Sequence, residues 1–308
     1  MSILVCCNLP DGVILGADSA VTIVTRGERE GAITQEITKT FTGAEKVFPI
    51  AVPGLSGCIA VGSYGLATLG PQTVQSYLRE FCLQADGDQW VGCESPVGGL
   101  SEALYDFFNT KYSELVRPSL EQVHKLPFDK IPADQKPLLG LVVAGYGGKR
   151  TPLAEIWLVA IPANEGERSV RCRRETGNFG TDWFGVTAPI TRLLKGFDGE
   201  LLNNVLDHLA TMAGISWSAD LDAEVRRIVA QGEYKIPYGH LPLEAGIRHV
   251  KSLLDMVVEL DAFTPGPQMC GGPTRMVVLT TAGLTWVLSA SLSRPGLEEK
   301  HGNMVSEG

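Results

Sequence analysis

Read for the spacing of apolar and polar positions, the chain opens as strand. Residues 3–9 form a run of mostly β-branched and small apolar side chains, Pro10-Asp11-Gly12 is a turn signal, and residues 13–17 are a second apolar run. Together they predict a hairpin that starts at the second residue. Residues 21–42, rich in Thr, Gly and charge, read as an exposed loop or edge hairpin, and residues 46–50 and 57–61 supply two further short strands. From Gly65 the period becomes helical: Leu66, Leu69, Val74, Tyr77, Leu78 and Phe81 recur at helix spacing, and Leu100, Leu104, Phe107, Phe108 and Tyr112 do so again before Pro118. A Pro- and charge-rich connection over 117–137 leads to apolar strands at 138–146 and 154–161 around the turn Gly147-Gly148-Lys149, with another strand at 169–174.

Residues 186–260 read as mainly helical, with stripes at Ile190, Leu193 and Leu194, at Leu201, Leu202, Val205 and Leu206, and at Ile247, Val250, Leu253, Leu254 and Val257. Residues 275–281 and 284–288 form a last pair of strands turned by Ala282-Gly283, and beyond Ser291 the composition is polar and is expected to fray. Strands, two helices, strands, helices and strands again predict an α+β chain in which two sheets stack face to face with helices on each outer side, a four-layer αββα sandwich. The expected organisation is one domain over 1–291 with a helical insertion at about 196–245, followed by a polar tail at 292–308.

Composition narrows the functional classes. A chain of 308 residues with 44% hydrophobic content buries a full-sized core. A formal charge of −9 argues against a nucleic-acid partner, because such binding depends on Lys and Arg displacing counterions. The N-terminus has no basic region before its apolar run, and no segment reaches the roughly 18 apolar residues that cross a bilayer. The reading is a soluble, cytoplasmic protein with no membrane partner. Seven cysteines, at 6, 7, 58, 82, 93, 172 and 270, show no CxxC spacing and suit reduced thiols. Five histidines contain no HExxH pair, so no metal and no cofactor is expected. Gly145-Tyr146-Gly147-Gly148-Lys149 lacks phosphate-loop spacing and lies between strands, which makes it a hairpin turn.

Four ordered segments carry a family resemblance. SILVCCNLPDGVILGADS, from Ser2 to Ser19, resembles the opening of a proteasome β subunit, with the family's separation between nucleophile and aspartate reproduced from Ser2 to Asp18. EKVFPI from Glu45 is similar to the strand whose lysine touches the nucleophile, GCIAVGS from Gly57 resembles the segment supplying the oxyanion-binding amide, and VVAGY from Val142 looks like a further family strand. The closing GGP…VLTTAGL from Gly271 to Leu284 extends the likeness. Asp261 followed by Cys270-Gly271-Gly272-Pro273, and GTDWFGVTAPI from Gly180, are more like the Anbu-type bacterial proteasome relatives.

The resemblance implies an N-terminal-nucleophile hydrolase. In that chemistry a free α-amine, with a reference pKa of roughly 7.7–8.0, takes the proton of its own residue's hydroxyl. Ser2 would carry that amine once Met1 is removed, with no propeptide needed. A cation at Lys46, held by Asp18, would favour the neutral amine and the alkoxide, and N–H groups at Val61 or Gly62 would stabilise the tetrahedral oxyanion. By the same resemblance Asp261 lies near the amine, Thr22 lies on the strand that pairs with an extended substrate, and Thr181 lines the site. Implied partners are a peptide or unfolded-protein substrate and further copies of the chain in rings or a helical assembly, with an unfoldase or ATPase partner left open. A small-molecule amidase on the same fold and a non-catalytic scaffold subunit are the alternatives.

Overall fold

The computed structural model describes residues 2–29, 32–55, 57–90, 93–147, 154–163, 168–214, 218–266 and 268–287, by backbone alone at 23–29, 32–38 and 219. Met1, part of the turn expected at Gly147-Gly148-Lys149, and the tail expected at 292–308 therefore lie outside the described residues.

The chain is mixed α+β. Strands β1 (Ile3–Leu9) and β2 (Gly12–Ala17) form the predicted hairpin, and β3 (Val21–Arg29) and β4 (Ala32–Phe41) form a long two-stranded ribbon. After β5 (Val47–Ile50) and β6 (Cys58–Gly65), the short β7 (Thr68–Leu69) and β8 (Gln72–Thr73) make a small hairpin where helix spacing was expected to begin. Gly70, at φ +57°, and Pro71 turn the chain there, so α1 (Val74–Gln84) starts later, capped by Thr73, whose hydroxyl accepts from the Ser76 N–H. Helix α2 (Pro96–Leu115) follows, and α3 (Arg117–His124) occupies part of the expected connection. Pro118 sits in its first turn, where a missing N–H costs nothing.

Next come β9 (Leu139–Tyr146), β10 (Glu155–Ile161), β11 (Val170–Arg174) and β12 (Gly180–Gly185). Helices α4 (Ala188–Lys195), α5 (Gly199–Ala213), α6 (Ala219–Val229) and α7 (Leu243–Phe263) precede the final pair, β13 (Arg275–Thr280) and β14 (Gly283–Val287).

Two antiparallel five-stranded sheets carry the core, in the orders β12-β1-β2-β13-β14 and β11-β10-β9-β6-β5. Every residue of β1 is buried because both faces of this interior strand are covered, which is why its sequence is apolar on both faces rather than alternating, apart from Asn8, whose side-chain amide donates to the Asn178 carbonyl at 2.9 Å. Leu4 and Cys6 share one cluster with Leu15, Ala60, Val142, Ala144 and Ile156 of the two sheets, whereas Ile3, Val5 and Cys7 face Ile247, Val250 and Leu254 of α7. On the second sheet, Val61, Leu141, Val143 and Val159 pack against Leu100, Leu104 and Phe108 of α2. Each such apolar side chain, fully buried, contributes about 1.5–3 kcal/mol. Gly246 lets α7 approach β1 closely, since a Cβ there would stand 2.3 Å from Leu9 Cδ1.

Candidate active site

The β1–β2 register explains the spacing between residues 2 and 18. Leu4 pairs with Ala17 and Leu9 with Gly12, so the next step along the hairpin sets Asp18 against Ile3. There the Asp18 N–H donates to the Ile3 carbonyl at 3.2 Å, and the Ile3 N–H donates to Asp18 Oδ1 at 3.0 Å. Ser2 precedes this pair on the face of β1 that Leu4 and Cys6 direct between the sheets, and it is buried. The Ser2 carbonyl accepts from the Val186 N–H at 2.9 Å. Gly185, at φ +90°, makes that approach available, because a Cβ would fall 1.9 Å from the Ser2 oxygen.

Lys46 arrives from the other sheet. Its carbonyl accepts from the Ser63 N–H at 2.8 Å, which extends the β5–β6 ladder by one rung, and its Nζ donates to Asp18 Oδ1 at 2.6 Å. The pair is almost wholly out of water, with side-chain exposures of 6% for Lys46 and 0% for Asp18. Asp18 Oδ2 accepts from the Ala20 N–H at 3.1 Å and the Gly271 N–H at 3.0 Å. An ionised carboxylate offers about four acceptor positions, and those of Asp18 are met by three backbone N–H groups and one ammonium. Such a group is held in one orientation, and Lys46 with it. The shared Oδ1 places the Lys46 ammonium within two hydrogen bonds of the peptide that follows Ser2.

The segment 268–272 closes one side. Gly271 O accepts from the Ser19 N–H at 3.0 Å, the Thr40 hydroxyl donates to Gln268 O at 3.2 Å, and Gly272, at φ +71°, lies against Ser19 Oγ and Thr42. The Asp261 carboxylate accepts from the N–H groups of Met269 and Cys270 at 2.6 and 2.7 Å through a single oxygen, Oδ2. Cys270 is fully buried beside this array. Burial first, and then the Asp18 and Asp261 carboxylates, push its thiol up to about 12, with Lys46 opposing. Burial likewise pushes Cys7 up to about 11 and raises Cys6 well above its ordinary value. These thiols are neutral at physiological pH. Among the described residues, no three His, Cys, Asp or Glu side chains gather as a metal site.

Not every expected residue meets Ser2. Thr181 pairs with Cys7, five positions along β1, roughly 17 Å away at strand rise. Cys7 faces the helices, so Thr181 lies on the opposite side of the sheet from Ser2 as well. Val61 and Gly62, expected as oxyanion donors, are interior to β6: Val61 lies between Phe48 and Val143, and Gly62 between Val47 and Val142. In such a ladder the amides point along the sheet into neighbouring strands. The physical reason is that β6 runs on to Gly65 instead of ending at Val61. Thr22 pairs with Thr40 at the base of the β3–β4 ribbon, where its hydroxyl is buried without a hydrogen-bond partner, as is that of Ser19. Gly271, Ala20 and the Gly185-Val186 step were not singled out as Asp18 or Ser2 partners; their contribution is backbone, which side-chain chemistry does not advertise.

The solved structures it resembles include Anbu (ancestral beta-subunit) from Yersinia bercovieri, at 15% identity and a TM-score of 0.43, covering 92% of this chain and 86% of that one. They also include an Anbu (Gly-1) mutant from Hyphomicrobium sp. strain MC1, at 12% identity and a TM-score of 0.44, covering 96% and 85%. No family model and no curated protein matches the sequence. No helix among the described residues is long and apolar enough to cross a membrane.

Proposed function

We propose that this chain is a four-layer αββα N-terminal-nucleophile hydrolase, in which the Ser2 hydroxyl attacks the carbonyl carbon of a peptide bond. The observation that carries the reading is the buried Lys46–Asp18 pair, whose carboxylate also holds the amide directly after Ser2. Removal of Met1 converts the Ser2 nitrogen from a peptide amide into an amine. That amine takes the hydroxyl proton as the oxygen adds to the substrate, and it returns the proton to the departing amine of the substrate. The Lys46 ammonium keeps the α-amine neutral and stabilises the negative oxygen, in a site too dry for water to screen it. Water then hydrolyses the seryl ester and regenerates Ser2.

Substrates on this reading are peptides or unfolded protein segments, laid along the base of the β3–β4 ribbon near Thr22. The chain works as a homo-oligomer that keeps such sites away from folded proteins, with the helices between 196 and 245 at subunit contacts. The test pairs intact-mass measurement with hydrolysis of a fluorogenic peptide panel run beside small acyl amides. Expected are loss of Met1, turnover of peptides, and no turnover by Ser2→Ala. Retained Met1 with no turnover points to a scaffold, and turnover of acyl amides alone points to an amidase.

A further inference from the structure

We infer that Asp261 is a positioning residue, which sets the orientation of Asp18 through the backbone of residues 269–271; the inference rests on the reading of Ser2, Asp18 and Lys46 given above. Asp261 lies in the last turn of α7, the end of a helix where a negative charge is disfavoured, and that turn contains no basic residue to offset it. Its Oδ2 takes two consecutive backbone N–H groups, those of Met269 and Cys270, at 2.6 and 2.7 Å. The very next N–H, of Gly271, goes to Asp18 Oδ2 at 3.0 Å, and the Gly271 carbonyl takes the Ser19 N–H. Three successive amides are thus pinned between two carboxylates, and Cys270, in the middle of this segment, is fully buried.

The physical consequence concerns one of Asp18's four donors. With Asp261 removed, two N–H groups lose a charged acceptor, the 269–271 backbone relaxes, and Gly271 no longer meets Asp18 in line. Asp18 then turns, taking the Lys46 ammonium with it. What the arrangement requires at position 261 is an oxygen that accepts, and the negative charge itself is dispensable. Asparagine retains such an oxygen, whereas alanine does not.

The full-length chain carrying Asp261→Asn or Asp261→Ala tests this with two readouts. One is the rate at which a peptide β-lactone acylates Ser2 across neutral and mildly alkaline pH. The other is alkylation of Cys270, located by peptide mapping. Expected is acylation by Asp261→Asn within about threefold of the parent with an unmoved pH profile, and a loss on the order of 100-fold in Asp261→Ala, the scale of a small misplacement. Cys270 stays protected in the asparagine variant and becomes reactive in the alanine variant. Equal losses in both variants with a displaced pH profile would mean that the charge acts on Ser2 directly, and would overturn the inference. So would an alanine variant with parental rate and protected Cys270. If the parent itself is not acylated, the Ser2 reading fails, and Cys270 decides alone: protection only in asparagine upholds the role of Asp261 in holding the 269–271 backbone, and equal behaviour overturns it. If Asp261→Ala does not fold, the asparagine variant decides by the same two readouts.

Discussion

Lys46→Met is the sharpest perturbation of the site, because it removes a charge while leaving most of the side-chain volume in place. The Asp18 carboxylate would remain buried, still bonded to the Ile3, Ala20 and Gly271 N–H groups but without the ammonium now at 2.6 Å. Breaking a buried ion pair by removing one partner costs about 3–5 kcal/mol, since the surviving charge is left uncompensated. Methionine limits any cavity contribution. For a chain of this length the expected drop in Tm is roughly 5–10 °C. Equilibrium unfolding in urea, followed by tryptophan fluorescence, measures the free energy. Because the pair is shielded from solvent, the difference from the parent should persist in high salt. Pairing the change with Asp18→Asn should recover part of the loss, with a coupling energy of about 1–3 kcal/mol. A Lys46→Met variant within about 1 kcal/mol of the parent, the range of an exposed pair, would refute the reasoning.

Three further outcomes follow from the geometry. Gly185→Ala should destabilise the chain by more than about 3 kcal/mol or prevent folding, since its Cβ would lie 1.9 Å from the Ser2 oxygen at φ +90°; a parental urea midpoint would contradict that. Asp182 is buried and binds Nε of both Arg173 and Arg174, tying the edge of one sheet to the edge of the other, so Asp182→Ala should cost about 3 kcal/mol by the same assay, and a change near zero would contradict it. Burial lowers the His249 pKa from 6.5, where its Nε2 lies 3.3 Å from the Tyr238 hydroxyl. The unfolded chain therefore takes up this proton first as pH falls, and stability present above pH 6.5 is lost as pH drops toward the folded-state value. His249→Gln should flatten that part of the stability–pH curve, and an unchanged slope would refute the assignment.

The parts of the fold legible from spacing were those in which one chemical pattern admits one structure. Residues 3–17 read as a hairpin because two apolar runs flank a Pro-Asp-Gly turn, and α7 read as a helix because Ile247, Val250, Leu254 and Val257 align on one face. Helix periodicity did not say what covers a face. Leu201 and Val205 repeat like core positions, yet they stand 58% and 45% exposed on α5. Strand β12 was not read as strand, because its glycines and Asp182 lower β-propensity while pairing with β1 supplies the stabilisation.

At the site, Asp18 and Lys46 were legible through their resemblance to proteasome β segments, since taken alone an aspartate at a strand end reads as a turn-former and a lone lysine as a solvated edge residue. The hairpin register and the buried ion pair supply the physical contact. Gly271 joins Asp18 across 253 positions through a backbone amide, so nothing in its side chain announces the contact. The oxyanion residues were matched without a gap, and both fall inside β6, which runs on to Gly65.

The central claim is that Ser2 bears the nucleophilic oxygen, and covalent capture tests it most directly. The purified chain is incubated with a peptide epoxyketone or β-lactone, digested, and the modified residue identified by tandem mass spectrometry. The account predicts one adduct, on Ser2 of a chain lacking Met1, and its disappearance in Lys46→Met. An unmodified Ser2 on a chain that has lost Met1, or an adduct confined to another residue, would contradict it.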